Sequence, residues 1–129
     1  MSEIQKRILA TEAAPAAIGP YSQGIAAGSL VFTSGQLPIN PATGAFPADI
    51  AGQTRQSLTN VKAILEKAGS GMDKVIKTTV FLSDMNNFAA MNAVYESFFP
   101  AGNCPARSAV DVARLPKDAL VEIEAFAHL

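Results

Sequence analysis

One cysteine, Cys104, stands among the 129 residues. A lone thiol excludes an internal disulfide and suits a reducing compartment. Charge of either sign is scarce too: 16% of residues are charged and the formal net charge is −1. There is therefore no basic footprint for a phosphate backbone, and no nucleic-acid partner is expected. The one histidine, His128, lies next to the last residue. An internal imidazole for acid–base cleavage of RNA is thus missing. No apolar run is long enough to span a bilayer. The opening residues 1–7, with Glu3, Lys6 and Arg7, lack the apolar core of a secretory signal. A cytoplasmic protein without a membrane partner is expected. Internal repeats and low-complexity segments are absent as well.

What remains is 49% hydrophobic, at a length that suits one domain, 1–129, around a single core. Residues 4–9 predict a short first strand. Pro15, Gly19 and Pro20 make residues 11–23 a loop. Two apolar runs, 24–27 and 30–34, are separated by Gly28 and Ser29 and read as a hairpin. Pro38, Pro41, Pro47 and Gly44 make 35–47 a second loop. Asp49 then caps a helix reaching Ala68, with Ala51, Thr54, Leu58, Val61, Leu65 and Ala68 on its buried face. Gly69 sits where a left-handed cap belongs. Residues 75–82 are rich in β-branched side chains and predict a central strand. Residues 84–87 cap a second helix whose apolar stripe is Phe88, Met91, Tyr95 and Phe98.

The last fifth, 105–127, carries the most chemistry. Runs 106–112 and 120–127 alternate as strands do, joined by a polar turn at Leu115, Pro116, Lys117 and Asp118. Arg107, Ala109 and Asp111 share one face of the first strand. Glu122, Glu124 and Phe126 share one face of the second. Folding about Pro116 as a hairpin is expected to bring Arg107 opposite Glu122 and Glu124, where burial raises the proton affinity of the carboxylate and the guanidinium lowers it. The order hairpin, helix, strand, helix, hairpin, with right-handed crossovers, places both helices on one sheet face. The other face then needs a second copy of the chain to cover its apolar side chains.

Five segments carry a resemblance: AAPAAIGPYSQ (13–23), TSGQLPINPATG (33–44), TRQSLTNVKAILEKAG (54–69), KTTVFLSDMNNFAAMNAVYESFF (77–99) and PARSAVDVARLPKDALVEIEA (105–125). Together they span nearly the whole chain, and it resembles the Rid family, the reactive-intermediate (enamine/imine) deaminases also called the YjgF family. The resemblance implies a chorismate-mutase-like α+β domain assembling as a homotrimer with sites between subunits. It implies hydrolysis of 2-aminoacrylate and related imines, released by pyridoxal-phosphate enzymes, to 2-oxo acids and ammonia. It implies no cofactor and no metal. By the same resemblance Arg107 binds the substrate carboxylate, Glu122 assists the water and Tyr21 lines the cleft. Many family members carry a cysteine at the position of Ala109, so a thiol-dependent step is not expected here, and backbone groups at Ala109 would face the substrate. Two other functions compete: an RNA-cleaving translation inhibitor, and a non-catalytic small-carboxylate-binding or holdase protein.

Overall fold

A computed structural model describes residues 4–129. Residues 1–3, the start of the segment read for a secretory signal, lie outside the described residues. The strands are β1 (Lys6–Leu9), β2 (Gly24–Ala27), β3 (Leu30–Thr33), β4 (Val75–Leu82), β5 (Ala106–Asp111) and β6 (Val121–His128). The helices are α1 (Ile50–Lys67) and α2 (Phe88–Tyr95). All six strands form one mixed sheet in the order β1-β2-β3-β6-β4-β5, an α+β architecture.

Local sequence explains the ends of these elements. Asp49 Oδ1 accepts the Gly52 N–H at 2.8 Å, one of the donors that the first turn of α1 leaves unpaired. At the other end Gly69 takes φ 89°. There Ser70 N–H bonds Leu65 O at 2.9 Å and Gly69 N–H bonds Glu66 O at 3.0 Å, the two bonds of a Schellman cap. The β2–β3 turn uses Gly28 at φ 59°. The second helical segment is broken into three pieces, with 3₁₀ turns at Met85–Asn87 and Glu96–Phe98 on either side of α2.

The expected hairpin of 106–112 with 120–127 does not form. β4 lies between the two strands, parallel to β5 and antiparallel to β6. Side-chain chemistry explains the arrangement. The helix-facing residues of β6 are Val121, Ile123, Ala125 and Ala127, all fully buried. Burying a valine or isoleucine side chain contributes roughly 1.5–3 kcal/mol, so this strand is drawn to the interior. The same face of β5 carries Arg107, Ala109 and Asp111, which suits an edge. Residues 112–120 are long enough to cross the one intervening strand.

Both helices pack on one face of the sheet, as expected. Leu58, Val61, Ile64 and Leu65 of α1 and Met91 and Tyr95 of α2 meet Val31, Val80, Leu82, Val121 and Ile123. Among the described residues no helix covers the opposite face. It presents Ile8 at 68% exposure, Phe126 at 39% and Val110 at 44%, with Phe32 edge-on to Phe126 at 5.1 Å between ring centroids.

Candidate active site

Arg107 lies on the edge strand, aligned with Thr78 of β4, and its side chain leans onto α2. Nη1 donates to Asn92 Oδ1 at 2.6 Å. The guanidinium carbon stands 5.4 Å from the Phe88 ring centre and 4.8 Å from that of Tyr95. Tyr95 is fixed in turn by a 2.6 Å bond between its hydroxyl and that of the buried Thr78. Burial pushes the Tyr95 phenol up, against the opposing pull of the Thr78 bond and the guanidinium. The ion pairs among the described residues are Lys62–Glu66 and Arg114–Asp118, and Arg107 belongs to neither. Pairing with a strand carboxylate, the inert alternative for Arg107, is therefore absent among the described residues. One edge of its planar fork is occupied by an amide, which leaves the charge uncompensated.

Glu122 lies on the other side of the sheet. Within β6 it alternates with the buried Val121 and Ile123, and it aligns with Phe81 on the helix-free face. Arg107 aligns with Thr78, which faces the helices, so the two groups expected to meet point to opposite faces of one chain. The carboxyl of Glu122 is pushed up by burial first and by Glu124 second. The lowering by Arg107 expected from a hairpin is thus replaced by two effects of the opposite sign.

The wall against Glu122 is the loop after β3. A Cβ placed on Gly35 would stand 2.7 Å from Glu122 Oε2, so only glycine leaves room for the carboxyl. Gln36 pairs with Ile123 in both directions, N–H to O at 2.7 Å and O from N–H at 3.2 Å, which locks the loop to the strand bearing Glu122. A cavity of about 570 Å³ opens here, lined by Tyr21, Ser34, Gly35, Ile39, Lys117 and Glu122 among others. Its walls are mainly aliphatic, and Glu122 is the one carboxylate in it. A second depression of about 430 Å³ lies on the other side of Tyr21. Tyr21 is 53% exposed, and its hydroxyl accepts the Ile18 N–H at 3.4 Å.

Ala109 sits partly buried two residues from Arg107 and packs against the core. Cys104 is exposed. His128 is not a frayed end, as its terminal position suggests. It closes β6 opposite Leu30, and its carbonyl accepts the Ser70 hydroxyl at 2.6 Å. Among the described residues no three His, Cys, Asp or Glu side chains gather in a way that could hold a metal ion. Three residues near the candidate groups escaped the sequence reading: Asn92, Gly35 and Gln36. An asparagine inside a short helix is a weak signal, because the residue favours caps and turns over helix interiors.

A family model described as Endoribonuclease L-PSP matches residues 11–129. The chain is 59% identical over 123 residues to 2-iminobutanoate/2-iminopropanoate deaminase of Escherichia coli (strain K12), covering 94% of this chain and 96% of that protein. It is 62% identical over 124 residues to a RutC family protein of Haemophilus influenzae, covering 94% of this chain and 95% of that protein. Among solved structures, the yjgF gene product of E. coli superposes with a TM-score of 0.91 at 59% identity, over 95% of this chain and 98% of that one. E. coli TdcF with bound serine gives a TM-score of 0.91 at 52% identity over the same shares of each chain. The chain belongs to the L-PSP family, that of the YjgF-type or Rid reactive-intermediate deaminases.

Proposed function

We propose that this chain is a hydrolytic deaminase of 2-imino acids and their enamine tautomers, of the 2-aminoacrylate type, and that it works as a cytoplasmic homotrimer of single-domain subunits with sites between them. The observation that carries this reading is the uncompensated guanidinium of Arg107, braced by Asn92 and two aromatic rings. Such a group is built to receive a carboxylate through paired hydrogen bonds. Arg107 and the Glu122 cavity face opposite sides of one subunit, so a neighbouring copy is the natural source of the missing half. The helix-free face, with Ile8, Phe32, Phe126 and Val110, supplies the apolar surface for that contact.

In this reading Arg107 anchors the substrate carboxylate, with Ala109 and Tyr21 beside the bound molecule. Water adds to the imine carbon, and the carbon–nitrogen π pair moves onto nitrogen. Glu122 takes a proton from the water and returns it to nitrogen. Glu122 then takes the carbinolamine hydroxyl proton and passes it to the amino nitrogen as the carbonyl forms, the carbon–nitrogen bond breaks with its electron pair going to nitrogen, and ammonia leaves. A half-buried carboxyl with raised proton affinity is suited to exchanging a proton in both directions. No cofactor enters these steps.

The test is a coupled assay in which a pyridoxal-phosphate dehydratase generates 2-aminoacrylate. Added protein should speed the appearance of pyruvate and ammonia, and Glu122→Gln should not. Turnover equal to the buffer control sinks the enzyme reading. Saturable binding of 2-oxo acids in that case would favour a carboxylate-binding protein. The description of the matching family model as an endoribonuclease gives RNA cleavage a specific claim. The net charge of −1 weighs against it, as does a single histidine whose Nδ1 lies 2.8 Å from the Leu129 carbonyl. RNA left intact by the same preparation at physiological salt would remove that claim.

A further inference from the structure

The buried residues of α1 include a polar group that neither the core nor the mechanism above explains. Asn60 is fully buried in the middle of the helix. Its Nδ2 donates to Leu37 O at 3.1 Å and to Ile39 O at 2.9 Å. Its Oδ1 accepts from Gln56 Nε2 at 2.9 Å, one helical turn away. That acceptor bond decides which end of the amide points at the loop. With Oδ1 engaged by Gln56, both amide hydrogens must face residues 37 and 39. All three of these bonds join side chains on α1 or reach from α1 to the loop, and none closes an ordinary helix cap.

The loop held in this way is the one that walls in Glu122. Gly35 touches the carboxyl, Gln36 pairs with Ile123 on both sides, and Leu37 and Ile39 line the cavity. The loop is therefore gripped at two places, by β6 at residue 36 and by Asn60 at residues 37 and 39. Prolines 38, 41 and 47 leave it few backbone donors of its own. The half-buried carbonyls at 37 and 39 have no backbone partner among the described residues, so the Asn60 donors are what satisfies them there.

We infer that Asn60 is a positioning residue, which holds the wall formed by residues 35–39 against the Glu122 carboxyl from inside the core. The inference rests on the reading of Glu122 as the proton-transfer group. The other groups facing that carboxyl are Glu124 on its own strand and Tyr21 and Lys117 across the cavity, whereas Lys77, on the same face of β4, aligns with Phe126 farther along β6. None of these touches Asn60 in the hydrogen-bond network, so a change at Asn60 reaches Glu122 through the loop.

The test is titration of the Glu122 carboxyl by carbon-13 NMR in Asn60→Leu, a substitution with the same branching and number of heavy atoms that removes both donor hydrogens. Loosening the wall admits water, and the Glu122 titration should move to lower pH. In the coupled assay kcat should fall by about tenfold or more while KM stays within about threefold, as expected for a reacting group shifted from its place. Leu65→Ala, a cavity at the far end of α1, should lower the melting temperature without moving the titration. Gln56→Met, which frees the acceptor end of the amide, should move it in the same direction by less. An unshifted Glu122 in Asn60→Leu overturns the inference, and so does an equal shift in Leu65→Ala. Should Asn60→Leu fail to fold, an unshifted Gln56→Met overturns it. The titration needs no substrate, so it separates this inference from the functional reading, which fails instead if Glu122→Gln is fully active.

Discussion

Around Arg107 every neighbour is a partner. Asn92 accepts one of its hydrogens, two aromatic faces meet its charge, and Thr78 fixes one of those rings. Around Glu122 the neighbours chiefly exclude water. No hydrogen bond within the described residues reaches its carboxyl, Gly35 is pressed against it, and Glu124 adds a second negative charge. Specific partners hold a cation stationary, which is what an anchor requires. Crowding without partners raises the proton affinity of a carboxylate, which is what a group exchanging protons near neutral pH requires. The two halves of the candidate site are thus tuned by opposite means.

The strongest attack on this contrast is on the anchor. Arg107→Ala should reduce turnover in the coupled assay to the uncatalysed rate, and a 2-oxo acid product should no longer inhibit it. Arg107→Lys keeps the charge and loses the fork. A charge-assisted hydrogen bond contributes roughly 1.5–3 kcal/mol, so kcat/KM should fall by about ten- to a hundredfold. An alanine variant that stays fully active places the anchor elsewhere. One that dissociates into monomers makes Arg107 an interface brace. Light scattering of the wild type should meanwhile give three times the 13.5 kDa chain mass.

The Glu122 side is sharpened by Gly35→Ala. A methyl 2.7 Å from Oε2 must displace the carboxyl, since the loop is tied to β6 behind it. We expect a loss of about a hundredfold in kcat with the fold retained, because displacement of a reacting group by about 1 Å has that order of effect. Activity within twofold of wild type would show that the carboxyl does not need its present position.

A smaller effect, on stability, runs the other way. The folded state holds Glu122 above its ordinary pKa. The folded state therefore binds this proton more tightly than the unfolded chain does, and stability from this group is present at low pH and lost as pH rises through the raised value. Glu122→Gln should abolish activity yet melt about 2–4 °C above wild type at pH 8, with the gap closing below pH 4. An equal gap at both pH values would remove the burial argument. The smallest effect is expected at Cys104→Ser, where turnover should stay within about twofold, because the thiol is exposed and Ala109 occupies the position of the family cysteine.

The fold was readable wherever local chemistry decides. Asp49 and Gly69 bounded α1, Gly28 marked the hairpin, and the Phe88, Met91 and Tyr95 stripe marked α2. The placement of β6 was not. Alternation in 120–127 shows a strand with one buried face, but which neighbour it pairs with depends on β4, some forty residues earlier in the chain. The error propagated directly to the site, because it put Arg107 and Glu122 on a common face. Resemblance supplied the roles of Arg107, Glu122 and Tyr21. The supports escaped notice because Gly35, Asn60 and Asn92 act through contacts with segments remote in sequence, and an asparagine inside a helix resembles any surface polar residue until the fold buries it.

The position of β6 also bears on how the protein is made. Of the six strands it comes last in chain order, yet it joins β3 to β4. Until residues 121–128 leave the ribosome, β1-β2-β3 and β4-β5 are two separate ribbons, each with an unpaired inner edge and an apolar face open to water. Such edges invite pairing with the wrong chain. Removing β1 would shorten the sheet at its rim, whereas removing residues 121–128 would cut it in two, so the fold should tolerate loss of β1 far better than loss of β6.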